Sequence, residues 1–162
     1  MIRIKRAWLM VLLAAASAAW PQERVSLVTS VEKVDTVVDE QGEQQQVLRS
    51  AERVFPGDEL RYTITFSNEG EDPIQSGTIV IVNPIPAAIA YLPGTAGGTG
   101  AEVSYSVDGG ESWGAAGTLV MMGPDGSRRS ADPDAYTHIR WAYRPALEPG
   151  QESSVSFRAR LR

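Results

Sequence analysis

The sequence predicts an all-β fold, an antiparallel β-sandwich of about eight or nine short strands. Three observations carry that expectation. Residues 60–67 alternate strictly: Leu60, Tyr62, Ile64 and Phe66 fall on one face and Arg61, Thr63, Thr65 and Ser67 on the other. That period of two marks a strand with one face in a core and one in water. Turn signals rich in Gly, Pro, Asn and Asp recur at short intervals through the rest of the chain. No stretch after the first 20 residues shows a long amphipathic helical period.

Before the strands comes an export signal. Arg3, Lys5 and Arg6 form a basic head, Ala7–Ala16 is an unbroken apolar run, and Ser17-Ala18-Ala19 supplies small residues. This tripartite pattern is that of a cleaved secretory signal peptide, with cleavage after Ala18 or Ala19. The apolar run is half the roughly 20 residues a spanning helix needs. Cleavage would take the formal charge from −5 to −8. A mature chain of that charge is a poor partner for nucleic acid, which requires clustered Lys and Arg. There is no cysteine, so disulfides, thiolate chemistry and lipid attachment are all excluded. The expected location is therefore exported, periplasmic or extracellular, with no transmembrane anchor once the signal is removed.

The elements follow in order. Val25–Val38 is rich in β-branched residues and suits a strand. Asp39-Glu40-Gln41-Gly42-Glu43 is a turn, and Gln46–Phe55 returns as the second arm of a hairpin. Pro56-Gly57-Asp58 leads into the strand 60–67, and Asn68–Pro73 turns out of it. Thr78–Val82 is expected to be buried on both faces because it is continuously apolar. Asn83-Pro84-Ile85-Pro86 stops it, and Ala87–Leu92 is expected to form a single helical turn before the next strand. Gly94–Gly100 reads as a flexible loop. Glu102–Val107, Thr118–Met122, Tyr136–Tyr143 and Ser153–Leu161 complete the strands, with a polar loop at Pro124–Pro133. Alternation places Ile139, Trp141 and Tyr143 inward, and likewise Val155, Phe157, Ala159 and Leu161. The last strand is expected to present a partly open edge, with Arg158, Arg160 and Arg162 keeping one face solvated.

Several of these motifs occur in a familiar order. Pro56-Gly57-Asp58, Tyr62-Thr63-Ile64-Thr65, Asn68-Glu69-Gly70, Asn83-Pro84-Ile85-Pro86 and Pro149-Gly150 before a valine-containing final strand resemble the conserved-repeat domain of bacterial and archaeal surface proteins. The resemblance spans roughly residues 53–162. It implies an immunoglobulin-like sandwich, here in a single copy, and a division into signal peptide (1–19), N-terminal β-region (20–55) and repeat-like domain (56–162). It implies no catalytic residue and no cofactor.

Candidate sites are few. Ser106-Val107-Asp108-Gly109-Gly110-Glu111-Ser112-Trp113 resembles the Asp-box hairpin of sialidase-like propellers. A propeller would need several such boxes at blade spacing, so Asp108, Gly110 and Trp113 are expected to have a structural role, as is Trp141 in the core. Acidic turns at Glu69, Glu71 and Asp72 and at Asp132 and Asp134 are the candidate Ca²⁺ ligands, since hard cations take oxygen donors from loops. His138 is the only histidine, and no Gly-x-Ser-x-Gly elbow accompanies it. The expectation is a non-enzymatic structural or interaction domain of the cell envelope, acting on an envelope or surface protein through a sheet edge or loops. The alternative is a Ca²⁺- or carbohydrate-binding module accessory to a surface or hydrolytic system.

Overall fold

The computed structural model describes residues 25–162; the signal-peptide reading falls outside them. Ten strands follow one another: β1 (Val25–Val38), β2 (Gln44–Ser50), β3 (Glu59–Asn68), β4 (Val80–Pro84), β5 (Ile89–Tyr91), β6 (Ala101–Ser106), β7 (Val120–Met122), β8 (Arg128–Ser130), β9 (His138–Tyr143) and β10 (Glu152–Leu161). One 3-10 turn, Pro133–Ala135, is the only helical piece among the described residues. A five-stranded sheet, ordered β2-β1-β3-β10-β5, faces a three-stranded sheet, ordered β4-β9-β6. The pair β7-β8 forms a separate ribbon. Every pairing is antiparallel. The chain is therefore an all-β protein with a sandwich-like arrangement of antiparallel sheets.

The core lies between the two sheets and is built from the alternating positions of the longest strands. Ile64 and Phe66 of β3 and Val155, Phe157 and Ala159 of β10 meet Ile81 of β4 and Ile139, Trp141 and Tyr143 of β9. Burying such side chains contributes roughly 1.5–3 kcal/mol each. Aromatic rings fill one end. Tyr105 stacks on Tyr136 with centroids 4.6 Å apart, and its hydroxyl lies 2.9 Å from that of Tyr91. Burial, then the neighbouring Tyr91 hydroxyl, pushes the Tyr105 phenol well above its usual range.

β1 is long because it serves two partners. Its first part pairs with β3, from Val25 opposite Asn68 to Val34 opposite Glu59. Its last part pairs with β2, from Glu32 opposite Ser50 to Val38 opposite Gln44. The hairpin turn is set by Asp39, whose carboxylate accepts from Gln41 N (3.0 Å) and Glu43 N (2.8 Å) while Gly42 takes φ +82°. Asp58 fixes the entry to β3: its carboxylate accepts from Phe55 N at 2.8 Å and pairs with Lys33 Nζ of β1 at 3.0 Å.

Four expectations from the sequence are corrected. β4 is not buried on both faces: Ile79 and Ile81 are buried, but Val80 is 53 % and Val82 49 % exposed. It is an edge strand whose outer face no layer among the described residues covers, so continuous apolarity does not mean two-sided burial. Ala87–Leu92 forms no helical turn. The chain turns from Pro86 O to Ile89 N (3.0 Å) and goes directly into β5. Gly94–Gly100 is a packed crossover: Gly97 and Ser156 exchange both backbone hydrogen bonds, at 2.9 and 2.8 Å. The stretch Pro124–Pro133 contains β8, which closes a hairpin on β7.

Candidate functional site

The last strand is not the open edge that the sequence suggests, because β10 lies between β3 and β5. The opening is at β1. From Glu32 onward its outer edge is taken by β2. Over Val25–Val31 the same edge pairs with nothing among the described residues. Seven backbone units thus keep one side free for another strand.

The inward face of that segment is also uncovered. Register places Leu27 opposite Phe66 and Val31 opposite Tyr62, so both share the face that β3 turns to the core. Phe66 is fully buried, yet Leu27 is 56 % exposed. The five-stranded sheet overhangs the three-stranded one, and β4 stops short of covering β1. Between them runs a groove of about 430 Å³, lined by Val25 and Leu27 on one side and by Ile74, Ile79, Val80 and Ile81 on the other. On the outer face Val28 is 61 % exposed. Residues 25–31 read Val-Ser-Leu-Val-Thr-Ser-Val, with no charge and no proline. Edge strands usually carry Lys, Pro or a bulge to discourage pairing. That uncharged run is the signal by which the sequence could have disclosed the edge.

The Asp108 turn is a different kind of object. Ser106, fully buried at the end of β6, donates to Asp108 Oδ1 (2.6 Å) and accepts from Gly110 N (2.9 Å) and Asp108 N (3.2 Å). The Asp108 carboxylate also takes the Ser112 backbone N–H, at 2.9 Å, and the Ser112 hydroxyl. These donors, the Ser106 hydroxyl first, hold its carboxyl far below the usual range. Gly110 sits at φ +95°, with the Trp113 ring 3.6 Å from where a Cβ would stand. Tyr105 and Gly114 then close the hairpin with reciprocal bonds of 2.8 and 3.0 Å. The Arg140 guanidinium stands over Trp113 at 4.6 Å from the ring centroid and donates to Ser104 Oγ at 2.9 Å. His138 meets the same ring edge-on at 6.4 Å, and its described hydrogen-bond partner is Thr137. The donors around Asp108 all come from its own turn and from Ser106.

Trp141 is fully buried in the core, and its Nε1 finds no partner among the described residues. Glu69, Glu71 and Asp72 lie exposed in the turn after β3. The turn is organised by Asn68, whose Oδ1 accepts from Gly70 N at 2.9 Å. Asp132 caps the 3-10 turn and Asp134 lies within it, both on the surface. Among the described residues no group of three or more His, Asp or Glu side chains could hold a metal ion. No described helix is long and apolar enough to cross a membrane. No family model, curated protein or solved structure matches the chain.

Proposed function

We propose that this chain is an exported, non-enzymatic interaction domain of the cell envelope, an immunoglobulin-like sandwich that binds through a sheet edge. The observation that carries the reading is the free edge of β1 over Val25–Val31, joined to an uncovered apolar face. A free edge supplies a row of backbone donors and acceptors, and the alternating side chains beside it supply selectivity. Export is supported by the basic, apolar and small-residue segments of residues 1–19. The motif order from Pro56 to Pro149 supports the immunoglobulin-like assignment.

Fractionation of the producing cell tests the reading. The expected result is a chain beginning at Ala19 or Trp20 in the periplasmic or extracellular fraction, and cross-linked to another polypeptide through β1. A chain that keeps Met1 and stays in the cytoplasm overturns it.

A further inference from the structure

The outer face of the three-stranded sheet carries a cation that no acid answers. Register places Val82 of β4 and Ser104 of β6 on either side of Arg140, with Val80, Ala142 and Glu102 in the next row. Arg140 therefore stands at the middle of the face turned away from the core. Its guanidinium is held from two sides. It lies over the Trp113 ring at 4.6 Å from the centroid, and its Nε donates to Ser104 Oγ at 2.9 Å. Its two terminal nitrogens make no hydrogen bond or ion pair among the described residues. The acids nearby are engaged elsewhere. Glu102 is paired with Arg144, and the Asp108 carboxylate takes donors from Ser106 and Ser112.

An arginine fixed by stacking and by one hydrogen bond has lost much of its rotamer freedom before any ligand arrives. The edge it leaves free is a planar pair of donors that matches a carboxylate. We infer that Arg140 anchors an acidic side chain of a polypeptide partner, a Glu or Asp carried between aliphatic residues. The surroundings of the fork select that chemistry. Val80 and Val82 lie beside it with about half of their surface in water, and a lone carboxylate would leave them there. A sugar acid needs an open aromatic face on which to stack, and the guanidinium already covers Trp113 on the side of the fork. An acidic residue with aliphatic neighbours fills the fork and covers the valines together. Trp and Arg set among apolar residues are also the usual anchors of protein interfaces. The site lies on the sheet that does not contain β1, so it adds a second contact surface to the edge described above.

Short extended peptides with a central Glu, Asp or Gln between aliphatic residues, arrayed and probed with the mature chain, test the inference. Glu and Asp peptides are expected to bind, their Gln counterparts to stay bare, and binding to weaken as salt is raised. For the tightest Glu peptide in solution, Arg140→Gln is expected to lower affinity about tenfold or more. Arg140→Lys should lose most of the same amount, since a point charge does not reproduce the fork. Arg61→Gln, an equal change of charge on the outer face of the other sheet, should leave affinity in place. A readout that needs no variant is the Arg140 Nε–H resonance of the wild-type chain, which should shift with the Glu peptide and not with the Gln peptide. An array with no peptide above background, or with Glu and Gln peptides bound equally, overturns the inference. So does an equal loss at Arg61 and Arg140, or a resonance that stays unmoved. Binding of polygalacturonate through Arg140 with no peptide bound also overturns it and assigns the fork to a sugar acid.

Discussion

The Asn68 side-chain amide donates to the Leu147 carbonyl at 2.9 Å, joining residues 79 apart in sequence with both fully buried. The same nitrogen donates to Asp72 O at 2.8 Å, while the amide oxygen accepts from Gly70 N. One side chain thus closes the turn after β3 and ties it to the approach to β10. Three backbone groups depend on it, and one of them, Leu147 O, accepts a second bond from Ile74 N at 3.0 Å. Each hydrogen bond lost costs about 0.5–1.5 kcal/mol net.

Asn68→Ala is therefore expected to destabilise the fold by about 2–4 kcal/mol, beyond an ordinary surface change. Asn68→Asp keeps the shape but sets a carboxylate against two carbonyl acceptors, and is expected to cost at least as much. Urea midpoints of the mature variants at neutral pH check both. A loss for Asn68→Ala no larger than that of a solvent-exposed control such as Glu69→Ala would show that the bonds to Asp72 and Leu147 are not made.

Two adjacent glycines in the crossover from β5 to β6 should behave in opposite ways. A Cβ at Gly98 would lie 2.7 Å from Val155 Cγ1 and 2.8 Å from Ser154 O, whereas one at Gly97 would meet nothing within 4 Å. The first contact is with a fully buried side chain and the second with backbone, so neither can yield cheaply. Gly98→Ala is expected to cost about 1–3 kcal/mol, the usual range for overpacking. Gly97→Ala should stay within about 0.5 kcal/mol of wild type. Thermal melting of the pair decides it. Similar losses at both positions would mean that the chain needs glycine there for its backbone freedom, not for the closeness of β10.

Strand-level features were largely legible because they rest on local alternation. Leu60, Ile64 and Phe66, and Ile139, Trp141 and Tyr143, are buried as their spacing demands. Local pattern could not show which strands lie at the edges. Val80 and Val82 read as core because β4 is continuously apolar, and only the sheet order, with β4 at the end of its sheet, explains their exposure. The same non-local fact hid the free edge of β1. It depends on how far β2 returns along it, and the seven-residue difference between the two arms of that hairpin appears only in the pairing. Gly98 shows the converse: a run of glycines reads as freedom until the strand it must pass is known. The Asp108 turn was legible because its chemistry is contained within one short segment.

That turn gives a prediction in pH. The Ser106 hydroxyl and the Ser112 hydroxyl and N–H all donate to the Asp108 carboxylate and hold its carboxyl well below the ordinary value of 3.8. A group whose folded pKa is depressed contributes stability that is fully present above its unfolded value and is lost as pH falls toward the folded one. The contribution is thus constant from neutral pH to about pH 5 and shrinks below about pH 4. Asp58 and Glu102 are lowered as well, by the Phe55 N–H with Lys33 and by Arg144 respectively, so wild-type acid sensitivity has several sources. Asp108→Asn removes one of them. Its urea midpoint should lie below that of wild type at pH 6, and the gap should narrow as both are titrated to pH 2.5. A gap that is constant over that range would mean that the turn is held by its glycines and the Trp113 contact, and that the charge on Asp108 contributes nothing to the hairpin.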